Sequence, residues 1–268
     1  CDRRQRQMCI RDSEDTYCTV EKDDFSLNSV AYIFENDPVR YARNFAGNMC
    51  CAYCRKVPFS FVNAKRPYFR GYANIDHDAD CLYVKEEMEK EEVEGLYASP
   101  AGENVIVRQM DRLLIQFLRS HEHAVDLNDL NSPIKNADTA EDATSKKWRH
   151  TNKVVPQKQL DAPLLKDDYK VGKIYHGKVH IQWEETQSSD RMKLLMWGLT
   201  TKRLICKLFV TPAVYKHLPE KYRRVTACDA YVVFFAALNK KAEDKSWSQG
   251  NLMRARFLCI NRLNENKA

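Results

Sequence analysis

Four potential metal ligands, arranged in two close pairs, constrain the fold of this chain more than any other sequence feature. Cys51 and Cys54 form a Cys-x2-Cys pair, and after 22 further residues His77 and Cys81 form a His-x3-Cys pair. A Cys-x2-Cys turn can direct two thiolates at one cation, and a His-x3-Cys pair at the start of a helix can complete the tetrahedron. The spacing therefore predicts a structural zinc site with four protein ligands. Cys50 offers an alternative Cys-x3-Cys register with Cys54, which the sequence leaves open.

The residues between and after the two pairs indicate the surrounding secondary structure. Residues 57–62 and 67–73 are strand-like and predict a hairpin, and the charged segment 82–96 predicts a helix directly after Cys81. Cysteine knuckle, hairpin and helix in this order are typical of a treble-clef zinc finger. We therefore expect a zinc-finger module in the first half of the chain.

Three motifs in this region resemble the zinc-binding N-terminal segment of competence protein CoiA and its relatives. The motifs are Cys51-Ala-Tyr-Cys54, Arg66-Pro-Tyr-Phe-Arg70 and His77-Asp-Ala-Asp-Cys81. Tyr68 stands where the family has its first histidine, whereas Phe69 is retained. The resemblance implies metal binding by the two pairs of ligands. CoiA-like proteins also carry a restriction-nuclease-like domain. No acid–acid-x-Lys constellation follows the finger in this sequence, so the resemblance implies metal binding and not nuclease activity.

A second resemblance concerns catalysis. Asn74-Ile-Asp-His77 after a Cys-x2-Cys pair is similar to the start of an HNH nuclease site, in which the histidine polarises the attacking water beside a divalent metal. The asparagine and second histidine of that family are missing, and Cys81 with a glutamate-rich segment follows instead. The sequence also lacks a glycine-rich phosphate loop, a Gly-x-Ser-x-Gly elbow and a His-Glu-x-x-His motif. A metal-dependent nuclease therefore stays an alternative to a non-catalytic protein.

Charge is distributed unevenly along the chain. Residues 7–13 resemble a translated sequencing-adaptor end, so we expect residues 1–13 to be a non-native tail that adds nothing to the fold. Residues 14–165 contain 19 basic and 25 acidic side chains, whereas residues 166–268 contain 20 basic and 10 acidic side chains. This asymmetry predicts two modules with different surfaces and favours a polyanionic partner for the second one.

Hydrophobic periodicity predicts an α+β chain with two parts. Residues 14–125 form the zinc-finger and helical module, with a helical stretch at 29–45 that Pro38 breaks and an amphipathic helix at 104–120. Residues 126–168 are polar and aperiodic and predict a linker. In the domain at 169–268, strands are predicted at 173–184, 191–199, 203–210, 229–238 and 252–261, with a helix at 213–222.

This order of strands and helix resembles the OB-fold, a five-stranded barrel whose helix follows the third strand. Another small β-rich domain, such as a split αβ sandwich, is the alternative fold. OB-folds bind single strands by combining a positive groove with aromatic faces on which bases stack. The basic domain carries both residue types, so we expect a nucleic-acid-binding, non-catalytic, cytoplasmic protein of bacterial or phage origin. A protein–protein adaptor, such as a zinc-containing subunit of a CRISPR or transposition complex, is the alternative.

The candidate nucleic-acid ligands are basic residues and one tryptophan of this domain. We expect Arg254 and Arg256 to share a face of the last strand, and Trp247 to be exposed in the connection before it. Trp183 and Trp197 are expected mainly in the core. The cations are Lys178, Lys193, Lys202, Arg203, Lys207, Arg223, Arg224, Lys240, Lys241, Arg254 and Arg256, and the interleaved aromatic residues are Trp183, Trp197, Tyr215, Tyr222, Tyr231 and Trp247.

Overall fold

A computed structural model shows how the chain is organised. It describes residues 14–72, 75–79, 81–120, 153–162, 168–186, 191–224, 227–240 and 247–263. The chain divides into two compact units: residues 1–86 with 115–125, and residues 87–114 with 126–268. The expected tail at 1–13 and most of the expected linker lie outside the described residues. Within the described part of the chain, no helix is both long and apolar enough to cross a membrane.

The first unit is built on an antiparallel five-stranded sheet. Its elements are β1 (Asp15–Cys18), β2 (Asp23–Ser26), α1 (Leu27–Asn36), β3 (Met49–Cys51), β4 (Pro58–Val62) and β5 (Tyr68–Gly71). The strand order is β2-β1-β3-β4-β5, so β2 and β5 are the edges. The predicted hairpin is therefore confirmed as β4 and β5.

The helical segment of this unit begins and breaks for local reasons. Ser26 caps α1, because its Oγ accepts a hydrogen bond of 3.1 Å from the Ser29 amide. The proline at position 38 lacks the amide hydrogen needed to continue the helix, so α1 ends and a separate turn, Pro38–Arg40, follows. A short π-helix, Tyr41–Phe45, completes the segment. The predicted break at the proline is confirmed.

One apolar core holds the first unit together, and two of the potential metal ligands belong to it. The buried residues of this core are Cys18, Val30, Ile33, Phe45, Met49, Cys51, Val57, Phe59, Phe69 and Cys81. Most are side chains of β1, β3, β4 and β5 or of the helical segment. Because Cys51 and Cys81 are core residues, the ligand cluster is part of the packing of this unit.

The predicted continuous helix at residues 82–96 is wrong. The chain instead forms a 3-10 turn (Leu82–Val84), β6 (Glu86–Glu87) and a separate helix α2 (Lys90–Tyr97). A capping box starts α2 at Glu89, whose side chain accepts from the Glu92 amide while the Glu92 carboxylate accepts from the Glu89 amide at 2.8 Å. The capping box therefore starts a new helix within residues 82–96, which the charge pattern had predicted to be a single helix.

The predicted amphipathic helix is confirmed as α3 (Pro100–Ser120), which begins four residues earlier than expected. Its proline lies at the first turn, where a missing amide hydrogen costs nothing. Arg108 and Arg112 are exposed, whereas Asp111, which lies between them on the helix, is buried. Gln109 is buried too, and its side-chain amide exchanges hydrogen bonds of 2.7 and 2.9 Å with the backbone of Val155.

The second unit contains a closed five-stranded β-barrel. The remaining elements are β7 (Lys153–Val154), β8 (Gln157–Gln159), β9 (Gly172–Glu185), β10 (Met192–Gly198), β11 (Leu204–Val210), α4 (Pro212–His217), α5 (Glu220–Arg223), β12 (Cys228–Lys240), β13 (Ser248–Asn251) and β14 (Leu258–Arg262). The ring runs β9-β10-β11-β13-β12 and closes where β12 pairs with β9. Its β11–β13 pair is parallel and the other pairs are antiparallel.

Two sequence-based predictions about this unit need correction. The last strand, predicted at 252–261, is split: β13 closes the barrel and β14 continues along β12 after a 3-10 turn, Ala255–Phe257. Residues 153–159, predicted as linker, contain β7 and β8, and β8 pairs in parallel with β9. The three strands that the prediction missed, β7, β8 and β13, have two to four residues each, which is too short to show a hydrophobic alternation.

Glycine permits the barrel to close at one tight point. A Cβ at Gly250 would lie 2.5 Å from Leu238 Cδ2 and 2.8 Å from the Ala237 carbonyl oxygen. These contacts are shorter than van der Waals distances, so β13 can approach β12 this closely only without a side chain. Buried alternate residues such as Val179 and Met196 fill the interior.

Candidate metal centre and barrel surface

The first two ligands lie on a tight turn at the end of β3. Cys51 is the last residue of β3, and Cys54 lies in the turn that follows. The Arg55 amide donates to the Cys51 carbonyl at 2.9 Å, and the Cys51 amide donates to the Val57 carbonyl at 2.8 Å. Arg55 has a φ of 56°, the left-handed conformation that closes such a turn. The Arg55 guanidinium lies 4.0 Å above the Tyr17 ring.

The second pair of ligands lies between β5 and the 3-10 turn. The Cys81 amide donates to the Asp78 carbonyl at 2.9 Å, and Cys81 immediately precedes the 3-10 turn. The His77 ring packs against Tyr83 at a centroid separation of 4.8 Å. These contacts fix the direction of both ligands, as does the ion pair between Lys56 and Asp78 across the two loops.

The structure brings all four predicted ligands together. The distances are 3.8 Å between the Sγ atoms of Cys51 and Cys81, 3.4 Å from Cys54 Sγ to His77 Nδ1, and 3.5 Å from Cys81 Sγ to His77 Nδ1. All four ligand atoms lie within 4.8 Å of one another. One metal ion could therefore contact all of them, so the cluster could hold a metal ion.

The ambiguity between Cys50 and Cys51 is resolved by the pleat of β3. Successive side chains of a strand point to opposite faces, so only one of the two cysteines can face the cluster. Cys51 does, whereas the Cys50 thiol donates to the Tyr17 carbonyl at 3.7 Å. Burial raises the pKa of Cys50 to about 11, so this neighbouring thiol stays protonated at neutral pH.

Protonation in the cluster depends on burial and on contact between ligands. The pKa of Cys51 is raised, first by the hydrogen bond with Cys81 and then by burial, while the amides of Cys54 and Tyr53 act in the opposite direction. Burial lowers the pKa of His77, which favours the neutral imidazole that metals bind. A cation would reverse the preference of the thiols, because a coordinating thiol loses its proton.

A side chain from α3 also holds the cysteine turn. Gln116 Nε2 donates to the carbonyl oxygen of Ala52, between the two cysteines, at 2.6 Å. Such a bond to the ligand turn restrains the backbone that carries Cys51 and Cys54. Nothing in the sequence spacing indicated this contact, because Gln116 is 64 residues from its partner.

In the second unit, the outer surface of β9, β10 and β11 collects aromatic and basic side chains. Trp197 pairs with His180 across β10 and β9, and their rings lie 5.9 Å apart. On the same face, Lys193 pairs with Phe209 across β10 and β11. Neighbouring residues of the alternate set, including Leu194, Met196 and Leu208, are buried in the barrel.

Trp247 and Lys207 extend this surface towards β13. Lys207 lies opposite Gln249 in the parallel β11–β13 pair, and Trp247 directly precedes β13. The Lys207 ammonium lies 4.3 Å from the centre of the Trp247 ring. Trp247 was expected to be exposed, but it is half-buried. We call the surface formed by His180, Lys207, Phe209, Trp197 and Trp247 the outer barrel face.

The other predicted cations do not gather on this face as one set. Arg254 and Arg256, expected on the last strand, lie before β14 and contact α3: Arg254 Nε is 3.0 Å from Glu103 Oε1, and an Arg256 Nη is 2.6 Å from Asn104 Oδ1. Their placement on a strand is therefore wrong. Lys193 lies 3.4 Å from Glu184.

The remaining predicted positions are scattered over other elements. Arg224 pairs with Glu220 on α5, and Arg223 is partly buried beside it. Lys202 and Arg203 are exposed in the turn between β10 and β11. Lys178 and Lys240 are half-buried on β9 and β12. Lys241 lies outside the described residues.

Four of the interleaved aromatic residues have structural contacts. Trp183 Nε1 donates to the Tyr222 carbonyl at 2.9 Å, and its ring packs edge-on against Tyr215 at 5.2 Å. Tyr231 is buried, with its hydroxyl 3.1 Å from His176 Nδ1. Sequence reasoning missed Phe209 and His180, although their strand alternation with Leu208 and Ile181 places them on the outside.

Comparison with protein-family models, curated proteins and solved structures finds no match for this chain. The resemblance of the ligand motifs to the CoiA segment therefore rests on the residues quoted above alone.

Proposed function

We propose that this protein binds nucleic acid without cutting it, prefers single strands, and uses zinc to stabilise its first unit. The outer barrel face carries the proposal, because it joins one cation to several half-buried aromatic rings on one strand surface. Bases stack on aromatic faces whatever their sequence, and phosphates are attracted by nearby cations. Lys207 beside Trp247 offers both contacts at one point.

The barrel supports an OB-like interpretation. The OB arrangement has five strands with the helix after the third. The barrel fits it in its ring order, in its parallel β11–β13 pair and in the position of α4 and α5 between β11 and β12. In OB-folds the surface around the second and third strands, with the adjoining loops, binds oligonucleotides. In this chain those strands are β10 and β11, which carry Trp197, Lys207 and Phe209.

The donor set and its spacing fit zinc. A tetrahedral ion about 2.3 Å from sulfur and about 2.0 Å from nitrogen separates two sulfurs by about 3.8 Å and sulfur from nitrogen by about 3.5 Å. The measured distances are 3.8 Å for sulfur–sulfur, and 3.4 and 3.5 Å for sulfur–nitrogen. Cys51, Cys54, His77 and Cys81 would hold the ion. Four protein ligands leave no position for substrate, so the ion would supply stability.

The remaining elements of the proposal follow from this cluster. Three unpaired thiols at one site are favoured in a reducing compartment, so we place the protein in the cytoplasm. The HNH alternative needs His77 to activate water. Its Nδ1 instead lies near two ligand sulfurs, which makes it a better ligand than base.

Binding to labelled oligonucleotides tests the proposal. We expect the unmodified chain to bind single-stranded DNA or RNA more tightly than duplex DNA, with an affinity that falls as salt rises. The Lys207→Ala/Trp247→Ala variant should bind about 10- to 100-fold more weakly, because one stacked base is worth about 1–3 kcal/mol. Arg254→Ala/Arg256→Ala is the control, because both arginines are already held by Glu103 or Asn104, and should change affinity less than about threefold.

Other outcomes of this titration would contradict the proposal. No binding to any probe at low salt would exclude the nucleic-acid function. Degradation of the probe only when a divalent metal is added would instead favour the nuclease.

A protein adaptor is the second candidate, and one surface favours it. A concave pocket of about 540 Å³ lies between α4 and the segment before β14, and its lining includes Val214, Pro219 and Met253. Met253 is 54% exposed, so this apolar side chain at the pocket is open to a partner. If the protein is an adaptor, oligonucleotide binding should be absent, and Met253→Asp should abolish co-purification with its partner protein.

A further inference from the structure

The hairpin between the two ligand pairs is the most basic part of the first unit. Residues 55–72 contain five basic side chains and no acidic one, whereas residues 14–54 contain three basic and seven acidic side chains. Arg55 and Lys56 are engaged, with Tyr17 and Asp78 respectively. Positive charge on an otherwise acidic unit is therefore concentrated on the β4–β5 hairpin.

Three of these cations are exposed. Lys65 and Arg66 lie in the turn between β4 and β5, and Arg70 lies on β5. Within the described part of the chain, none of the three forms an ion pair. Their charges are thus available to a ligand that approaches the hairpin from solvent.

Strand β5 places aromatic rings on both sides of Arg70. Phe69 is buried and packs with Phe59 at a centroid separation of 6.2 Å. By the period of two of a strand, Tyr68 and Arg70 lie on the opposite, solvent-facing side, and Tyr72 directly follows the strand. Tyr72 is 56% exposed and Tyr68 half-buried. An edge strand with a ring and a cation about 6.7 Å apart at alternate positions, followed by an exposed ring, is suited to a flexible chain of stacked bases and phosphates.

The hairpin is also restrained by the core of the first unit and lies between the two predicted ligand pairs. Cys54 lies four residues before β4 and His77 six residues after β5, so each end of the hairpin leads to a metal ligand. Its inner face, through Phe59 and Phe69, is part of the apolar core. The solvent-facing rings and cations are therefore displayed on a restrained backbone, which lowers the entropy lost when a ligand binds.

We propose that this surface, formed by Lys65, Arg66, Tyr68, Arg70 and Tyr72, is a second contact site for single-stranded nucleic acid. The choice of partner rests on the proposed function, but the residues are distinct from the outer barrel face. Phosphates would contact the three cations, and bases would stack on the two tyrosines. The chain would then bind a longer stretch of nucleic acid than the barrel alone.

Salt-dependent binding of the full chain to single-stranded DNA and RNA of about 30 nucleotides, longer than one OB site, tests this inference. For Lys65→Ala/Arg66→Ala/Arg70→Ala we expect affinity to fall at least tenfold and the slope of log affinity against log salt to decrease by about 2, at about 0.7 per lost phosphate contact. Tyr72→Ala should weaken binding about fivefold or more, at constant salt slope, because it removes stacking and no charge.

Matched controls come from the same unit. Arg43→Ala removes an exposed cation of the π-helix, and Tyr32→Ala removes an exposed ring of α1. Neither should change affinity or salt slope. Metal content and circular dichroism of every variant establish that the first unit is still folded.

The outcomes separate this inference from the proposed function. If the unmodified chain binds and the triple variant binds with the same affinity and slope, the hairpin site is overturned and the barrel proposal stands. If the triple variant loses binding while Lys207→Ala/Trp247→Ala keeps it, the hairpin site is supported and the barrel face is not the binding surface. If the unmodified chain binds no probe, both are overturned.

Discussion

The two units differ in what closes their structure. The first unit is an open antiparallel sheet whose edge strands are β2 and β5, and its core includes Cys51 and Cys81 from the ligand cluster. The second unit closes its sheet on itself through the β9–β12 pairing, and its buried strand residues fill the ring. A small unit with a limited core commonly needs a metal, whereas a closed barrel is stabilised by burial and complete strand pairing. The comparison predicts separate sensitivities for the two units.

Loss of one metal ligand should have the largest effect and should be confined to the first unit. If the cluster binds zinc as proposed, Cys81→Ser should lose the ion and unfold this unit, because apparent binding energies of structural zinc reach about 10 kcal/mol or more. Metal analysis and thermal unfolding followed by circular dichroism measure this. The barrel should keep its own unfolding transition.

Cys50→Ser provides the matched control for this prediction. Cys50 is next to a ligand and equally a buried thiol, but it donates to the Tyr17 carbonyl instead of facing the cluster. It should retain the ion and cost no more than about 2 kcal/mol. Equal metal loss in both serine variants would show that the ligand register is wrong.

Removal of a buried charge should have the next largest effect, now confined to the barrel unit. Asp168 accepts from Lys173 at 2.6 Å and lies 3.1 Å from the Lys158 ammonium, and all three side chains are buried or nearly so. Asp168→Asn leaves two buried ammonium groups without this carboxylate, so we expect the free energy of unfolding to fall by about 3–5 kcal/mol. Denaturant unfolding measures it. Asp229→Asn, which removes an exposed partner of His180, should cost below about 1 kcal/mol.

Acid should weaken the barrel through one buried imidazole. Burial lowers the pKa of His176 to about 4, whereas in the unfolded chain it titrates near about 6.5. Between these values the unfolded state binds a proton that the folded state does not, so stability falls as the pH drops from about 7 to 4, by about 3 kcal/mol in total. His176→Asn keeps a group facing the Tyr231 hydroxyl and should flatten this dependence of denaturant midpoint on pH. An unchanged pH slope would contradict the prediction.

Substitution of Arg55 in the first unit should have the smallest effect on stability. Arg55 has a φ of 56° and stacks on Tyr17. Arg55→Gly should relieve the left-handed strain but lose a cation–π contact, so the two effects nearly cancel, to within about 1 kcal/mol. Arg55→Ala loses the contact and keeps the strain, so its melting temperature should be lower than that of the glycine variant. The reverse order would show that strain at this turn is negligible.

In both units, the sequence predicted those features that depend on residues close together along the chain. The clustering of Cys51, Cys54, His77 and Cys81 could be predicted because the residue types and their spacing form short motifs. Strands β9 to β11 could be predicted because apolar residues alternate along them. The register between Cys50 and Cys51 needed the pleat of β3. It could not be decided from spacing alone, since both registers place two thiols in one turn.

The errors concern places where tertiary contacts outweigh local pattern. The apolar residues around Leu252 and Phe257 suggested a strand, but the chain turns there, and the polar segment before it closes the barrel at Gly250. Arg254 and Arg256 were placed on the last strand, but they lie before β14, and Glu103, some 150 residues away along the chain, lies beside them. Partners so distant along the chain leave no trace in a single sequence.

The parallel β11–β13 pair has a consequence for the order of folding. It joins residues 206–209 to residues 248–251, and the barrel also needs β9 to meet β12, so the ring forms only after most of the second unit has been synthesised. The four residues that could hold a metal ion, by contrast, span residues 51–81. Long loops close more slowly than short ones. The ligand pairs can therefore meet early in translation, whereas the barrel strands can pair only after the later strands have been synthesised.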